Sequence, residues 1–449
     1  MTGSPRKDRS AVTGPRALVA VVVVALAGGA IGIGLGLRGH TSPIVGAAKT
    51  AAAASEPAGS TSIPVPTKPP VVAVPTPTPW QAPSAIAYVG PGSVSFPTAS
   101  DGWVLGDACD AQQDCETGVA RTTDGGASWA MVASPAAPDP TNSELYLAAA
   151  SSEDAWVWGT DTDGDAVFVA THDGGENWQP ADISGEVVDL AIAGGAAWAV
   201  TGCAEGTTTA CPEAVLSSPV GGGRWADLAP LPAAVQGEPI SNSVLGGPEL
   251  VRWGPSAWLL NDNESEPSLV RTEDQGQSWV SMTVSCTEGA TMSLAASSAE
   301  DLMLSCADIG GPPSAPQEVW TSDDGGAQWL LRSRADYSAF SPPAADVGSL
   351  DNSGAPTGLA VLSRSRAWMI NYLGPPLVTD DGGVTWTEAP LPAELATVWQ
   401  AGVELDVTFA DPLDGWAFNS AGLWATTDGG TDWQYQPIIG PVPGWSPST

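Results

Sequence analysis

The sequence predicts an all-β protein whose folded part is a single seven-bladed β-propeller of four-stranded antiparallel blades. Two observations carry this. Six times a Ser or Thr is followed two residues on by Asp, two further by Gly and three further by Trp, and a seventh copy is decayed at the Asp position. The copies are Thr122-Asp124-Gly126-Trp129, Thr171-Asp173-Gly175-Trp178, a degenerate Ser218-Val220-Gly222-Trp225, Thr272-Asp274-Gly276-Trp279, Ser322-Asp324-Gly326-Trp329, Thr379-Asp381-Gly383-Trp386 and Thr426-Asp428-Gly430-Trp433. Their Trp residues lie 49, 47, 54, 50, 57 and 47 positions apart, a period that suits propeller blades and exceeds most other repeats. Around each copy the same order recurs: an alternating apolar run, a tight turn into a second run, a loop, a third run, then the motif.

Taken in chain order, residues 1–16 form a basic tail with Arg6, Lys7, Arg9 and Arg16. Residues 17–37 are uncharged and apolar, long enough for a transmembrane signal-anchor helix. The basic flank puts the amino terminus in the cytoplasm and the rest outside. Cleavage after Ala25-Leu26-Ala27 is the alternative; the apolar run continues past it, and an uncleaved anchor is preferred. Residues 38–84 are rich in Ala, Pro, Ser and Thr and read as a semi-extended linker. Residues 85–440 hold the propeller and 441–449 a short tail. In the last repeat the runs Leu405 to Phe409, Trp416 to Phe418, Leu423 to Thr426 and Trp433 to Tyr435 are β-branched or aromatic, as strands A to D of a blade require.

The motif then falls on the hairpin between strands C and D. Its Gly residues supply positive φ, and its Asp accepts hydrogen bonds from the turn's own amides. The Trp is expected to pack within its own blade. Six B strands carry an aligned Trp, at 103, 156, 198, 258, 368 and 416, with Leu302 in that place in the remaining blade. This spacing and composition resemble the Asp-box, or BNR, repeat of sialidase-like propellers, of cellulose and xyloglucan hydrolases, of sortilin-type receptors and of the photosystem II stability and assembly factor family. The likeness covers about residues 88 to 437 and is greatest to the assembly-factor branch. It implies that the motif residues hold turns and do not touch substrate. Val220 agrees, because a ligand-binding carboxylate could not be exchanged for an isopropyl group. Ala85 to Val89 is a candidate extra strand closing the ring.

Of 15 basic residues seven precede residue 70, leaving eight, and of 50 acidic residues two do, leaving 48, so the propeller carries a charge near −40. Such a surface repels nucleic acid and anionic lipid. Asp161, Asp163 and Asp165 form a D-x-D-G-D run, but an Asp-Gly hairpin turn explains it and Ala166 breaks the pattern of a calcium loop. No metal and no cofactor are expected. Six Cys outside the membrane read as three disulfides. The blade assignment pairs Cys109 with Cys115 and Cys203 with Cys211, each pair across a B–C loop, and Cys286 with Cys306 between one D strand and the next B strand.

Strands alternate in direction, so the A–B and C–D turns share one face and the B–C loops and D–A links share the other. All seven Asp-box turns therefore lie opposite the disulfides and the longest links, about residues 226 to 248, 332 to 356 and 388 to 403. Elaborated loops on one rim of a scaffold are where binding is usually built. The candidate binding residues on that rim are Arg332, Arg334, Tyr337, Phe340 and Trp399. Arg364 and Arg366 fall on an A–B turn, on the other face.

The two His are His40, in the membrane-proximal tail, and His172, inside an Asp box. A His base, a Ser-His-Asp triad or a His-based metal site is therefore excluded. Sialidases use an arginine trio, a Tyr–Glu pair and an Asp acid, which this chain does not supply: Arg121 and Arg271 directly precede Asp boxes and Arg224 lies within one. No catalytic residue is assigned. The reading is a non-catalytic, membrane-anchored, extracytoplasmic propeller, monomeric, that binds a protein partner or serves assembly at the cell envelope. The alternative is a cell-wall glycan binder or a glycoside hydrolase of sialidase or xyloglucanase type, recognised by two carboxylates about 5–10 Å apart in a groove.

Overall fold

Twenty-nine β-strands and no helix make up the described residues of the computed structural model. These are residues 86–440 except 136–143, 162–164, 184, 203–213, 233–247, 262–267, 285, 287–289, 308–316, 336–346, 351–354, 373 and 396–404. Blade 1 holds β1 (Ile86–Ser95), β2 (Gly102–Asp110), β3 (Cys115–Thr122) and β4 (Ala130–Val132); blade 2 holds β5 (Glu144–Ala149), β6 (Ala155–Thr160), β7 (Ala166–Thr171) and β8 (Gln179–Pro180). Blade 3 holds β9 (Glu186–Ala193), β10 (Ala196–Gly202), β11 (Ala214–Pro219) and β12 (Ala226–Asp227). Blade 4 holds β13 (Pro248–Trp253), β14 (Ser256–Asn261), β15 (Ser268–Thr272) and β16 (Val280–Met282). Blade 5 holds β17 (Thr291–Ala296), β18 (Leu302–Ala307), β19 (Gln317–Ser322), β20 (Leu330–Ala335) and a fifth strand, β21 (Gly348–Ser349), parallel to β20. Blade 6 holds β22 (Ala355–Val361), β23 (Ala367–Tyr372), β24 (Leu377–Thr379) and β25 (Thr387–Glu388); blade 7 holds β26 (Asp406–Phe409), β27 (Gly415–Asn419), β28 (Gly422–Thr426) and β29 (Gln434–Gln436). Each sheet uses only consecutive strands, so the chain is a seven-bladed propeller with no strand exchanged between blades.

The hydrophobic residues sort into seven clusters, and each spans two adjacent blades. Trp103, Val119, Leu147 and Val157 join blades 1 and 2; Trp156, Trp158, Val187 and Leu190 join blades 2 and 3. Trp198, Val215, Leu259 and Trp279 join blades 3 and 4, and Trp258, Leu269, Leu294 and Leu304 join 4 and 5. Met303 and Val319 meet Leu359 and Met369 between blades 5 and 6, and Trp368 meets Phe409 and Trp424 between 6 and 7. A seventh cluster puts Val89, Val94 and Val104 of blade 1 against Trp416, Leu423 and Ile438. That last seam closes the ring, with the Val89 N–H donating to the Ile438 carbonyl at 3.3 Å. Ile86 to Val89 are thus the first part of β1, not an added closing strand.

Two further expectations are corrected. The Asp-box Trp packs across a seam as well as against its own blade: Trp178 stands edge-on to Trp103 at 6.2 Å and donates to the Ala133 carbonyl at 2.8 Å, both in the preceding blade, while Trp129 meets Phe96 at 6.0 Å and Trp433 meets Phe409 at 6.4 Å within their own blades. Trp279 meets Trp198, and Trp433 meets Trp368, in the same way. A short D strand at the outer edge leaves the indole free to reach the neighbour, which strand patterning within one repeat cannot show. The residue in the seventh B-strand Trp place is Met303, not Leu302. Register decides this: Leu302 pairs with Ser322 of the box, as Gly102 pairs with Thr122 and Ala367 with Thr379. Met303 is 2% exposed, and its methyl group packs on Gly383 of the next box.

Inner strands are also stapled by side chains. Ser93 and Ser95 accept the N–H groups of Leu147 and Ala149, both at 3.0 Å. The buried Asp189 carboxylate accepts Leu250 N–H at 2.6 Å, and Glu249 accepts Leu294 N–H at 2.8 Å. Each bond gives a partner to an innermost backbone donor that no blade-to-blade ladder serves.

Candidate functional site

The Asp-box face is closed by its own chemistry. In the first box the Thr122 hydroxyl donates to Asp124 Oδ1 at 2.8 Å and accepts Gly126 N–H at 3.0 Å. Asp124 also accepts the Ser128 N–H at 2.8 Å and the Ser128 hydroxyl at 2.6 Å. The same pattern recurs around Asp173, Asp274, Asp324 and Asp381, and Asp428 accepts the N–H groups of Thr431 and Asp432. The hydroxyl of Ser128 and then its N–H hold the Asp124 carboxyl below the usual carboxylate range, and Ser278 does the same for Asp274. These carboxylates are engaged by the turn they hold. In the degenerate box Ser218 donates to the Gly222 carbonyl at 2.9 Å and Gly222 N–H goes to Pro219, so the turn forms without a carboxylate. Where the fourth box has Gln275 in place of the first Gly, that residue takes φ of 61°.

Arginines stitch this face from blade to blade. Arg121 of blade 1 donates to the Ser152 carbonyl in blade 2 at 2.6 Å, and Arg271 of blade 4 to the Asp324 carbonyl in blade 5 at 3.2 Å. Arg366 of blade 6 places two guanidinium nitrogens on the Gly429 carbonyl of blade 7, at 2.8 and 3.2 Å, and a third on Asp380. Arg252, 3% exposed, lies 4.0 Å over the Trp198 ring and donates to Ala196 of blade 3; desolvation pulls its pKa down to about 9. Arg364 spans Asp301 and Asp323, and His172 Nδ1 lies 2.8 Å from Asp154. Carbonyls of the box turns and of the A–B turns thereby receive donors, and these cations serve structure.

Arg332 belongs to this set. Sequence placed it and Arg334 at the start of a link on the opposite rim, whereas both lie in β20. Leu331 pairs with Trp320 and Ser333 with Val319, which makes Arg332 the extra residue of a β-bulge. A bulge re-aims its side chain, and Arg332 reaches blade 6, with Nε on the Gly382 carbonyl at 2.8 Å and Nη2 on the Asp381 carbonyl at 2.9 Å. Arg334 stands 3.4 Å from Glu318, which also accepts the Trp320 indole N–H at 3.1 Å. Tyr337, Phe340 and Trp399 lie outside the described residues.

On the opposite rim Cys109 is bonded to Cys115 across the blade 1 B–C hairpin, whose Asp110 accepts the N–H groups of Gln112 and Asp114. Cys286, ahead of β17, is bonded to Cys306 in β18. The Cys203–Cys211 pair lies outside the described residues. Asp161 accepts Asp165 N–H at 2.9 Å and donates its own N–H to the Asp165 carbonyl at 3.0 Å, a closed hairpin turn; Asp163 is not described. Among the described residues no group of three His, Cys, Asp or Glu is placed to hold a metal ion.

The same rim holds a groove that sequence reasoning did not find. It has a volume of about 390 Å³ and runs along the outer side of β7, walled by Pro135, Val167, Phe168, Pro180, Ile183 and Val187, with Asp161 at one end. It exists because β8 is only two residues long. The available signal was Pro180, which follows the strand's first residue and lacks the N–H to continue a ladder.

Fold and turn geometry together define an Asp-box propeller of seven blades. No protein-family model matches the chain, and no curated protein does. Among solved structures it is similar to YCF48 from Cyanidioschyzon merolae, at 16% identity over 78% of this chain and 99% of that one, with a TM-score of 0.49. It is also similar to YCF48 bound to D1 peptide (17% identity, 78% and 97% covered, TM-score 0.46) and to a GH74 enzyme of Niastella koreensis (12%, 78% and 66%, TM-score 0.39). At such identities no residue role is carried over.

Proposed function

We propose that this protein is a non-catalytic propeller displayed outside the cell on a membrane anchor at residues 17–37, and that it binds a protein partner at the cell envelope through the rim opposite the Asp boxes. One observation supports this most: the carboxylates and arginines of the Asp-box end are engaged in turn and blade-to-blade hydrogen bonds, while the other rim offers an open groove along β7. Among the described residues no helix is long and apolar enough to cross a membrane, and the anchor segment lies outside them. Asp161 is the one polar side chain among the groove's lining residues, so its polar surface is mostly backbone between aliphatic side chains, which suits an extended peptide better than a sugar.

The test is affinity capture by the full-length tagged protein from detergent-solubilised membranes, with reciprocal capture of each enriched protein, beside a glycan array. One protein recovered in both directions and no sugar bound is the expected result. Release of reducing sugar from wall polysaccharide defeats the reading.

A further inference from the structure

Among the described residues the outer edge of β7 is half uncovered. On its inner side β7 pairs along its whole length with β6, from Thr160 with Ala166 to Ala155 with Thr171. On its outer side β8 covers only Val169 and Ala170, and the last bond of the ladder is Ala181 N–H to the Phe168 carbonyl at 3.0 Å. Backbone groups alternate sides along a strand, so Ala166, two residues from Phe168, turns its N–H and C=O outward. No described residue pairs with them. The cause lies after Pro180: Ile183 N–H turns back to the Ala181 carbonyl, and Asp182 bridges to Arg224 in blade 3, drawing the chain away. An uncovered strand edge is a template for another strand.

We propose that this edge takes an extended, cationic segment of a partner protein as an added strand. The inference rests on the protein-binding reading and names the chemistry of the partner. The segment's backbone would bond to Ala166, and an apolar side chain would fill the groove between Phe168, Ile183 and Val187. Charge selects the cation: Asp161 and Asp165 stand where β7 begins, and the propeller, which has no Lys, carries 48 acidic residues. The chain adds a short parallel strand to an outer blade edge elsewhere, in blade 5, where Gly348 and Ser349 add to Ser333 and Arg334 of the D strand β20. A parallel occupant of β7 brings a basic residue at its amino end beside Asp161 and Asp165. The chain's own Lys68-Pro-Pro-Val71-Val72-Ala73-Val74 has similar chemistry, and the experiment separates it from a partner.

The probe is a fluorescent peptide, Gly-Arg-Val-Thr-Val-amide, titrated by polarisation against the full-length protein in detergent. Saturable binding below about 1 mM is expected. Ala166→Pro removes an outward N–H that the fold does not use and should weaken binding about tenfold, whereas Asp165→Lys, which leaves the ladder untouched, should weaken it about threefold. Both variants should melt as the parent does. No binding, or equal binding by parent and both variants, overturns the proposal. Binding that emerges only when Val72→Asp is introduced also overturns it, since the chain's own linker then fills the groove. An envelope protein still captured by Ala166→Pro at parental yield sinks the groove and leaves the platform reading standing.

Discussion

Arg332 separates a structural role from a binding one. Its guanidinium makes two charge-assisted hydrogen bonds to carbonyls of the next blade, Gly382 at 2.8 Å and Asp381 at 2.9 Å, from a half-buried position in β20. Hydrogen bonds from a charged donor contribute about 1.5–3 kcal/mol each, and solvent screening reduces the more exposed of the two. Arg332→Ala should therefore cost about 2–3 kcal/mol. Arg332→Lys should recover less than half, because an ammonium cannot serve two carbonyls in the guanidinium's fixed fork. Urea unfolding followed by tryptophan fluorescence gives the stability, and capture of the envelope partner gives the binding. Lower stability with undiminished capture under native conditions is the expected result. An Arg332→Ala protein within about 0.5 kcal/mol of the parent that no longer captures its partner would refute it.

The other expectations concern seams, boxes and disulfides. Trp258 and Trp368 are both fully buried, but only Trp258 has an indole hydrogen bond, to the Gly325 carbonyl at 2.9 Å; Trp258→Phe should therefore cost about 1 kcal/mol more than Trp368→Phe in the same urea assay. The box carboxylates are held below their ordinary value, so the unfolded chain binds more protons as pH falls. Their contribution is complete above the unfolded carboxylate value near 3.9 and is lost as pH drops below it, and a urea midpoint that does not fall between pH 5 and pH 3 would speak against this. For Asp381, burial pushes the carboxyl up and the hydrogen bonds from Thr385 and Thr379 override it; Asp381→Asn should flatten the acid slope. Replacing both cysteines of Cys109–Cys115 by Ser should cost less than replacing those of Cys286–Cys306, about 2 against about 3 kcal/mol, since the loops they close differ in length. Equal losses would deny a chain-entropy origin.

Blade number and strand order were legible because the repeat is local: a Thr–Asp–Gly–Trp hairpin announces itself within eight residues. What lies between repeats was not. That Trp178 reaches Trp103, and that Arg121, Arg271, Arg332 and Arg366 serve the neighbouring blade, depends on residues about 30 to 75 positions apart meeting across a seam that neither repeat encodes alone. Register also hid Met303, since a Leu beside a Met gives no sign of which faces the next box. The bulge at Arg332 is an insertion relative to β19, visible only once the two strands are paired. The groove in blade 2 follows from a strand that stops early, and a Pro180 in an otherwise ordinary run was its only trace.

Site-specific photocross-linking in intact cells tests the central claim most directly. A benzoylphenylalanine at Asp165 or Gln113, on the rim opposite the boxes, should yield a discrete adduct with one envelope protein, while the same group at Thr123 or Thr427, on the Asp-box face, should yield none. Adducts formed from Thr123 and Thr427 but not from Asp165 and Gln113 would place recognition on the stitched face and contradict the account.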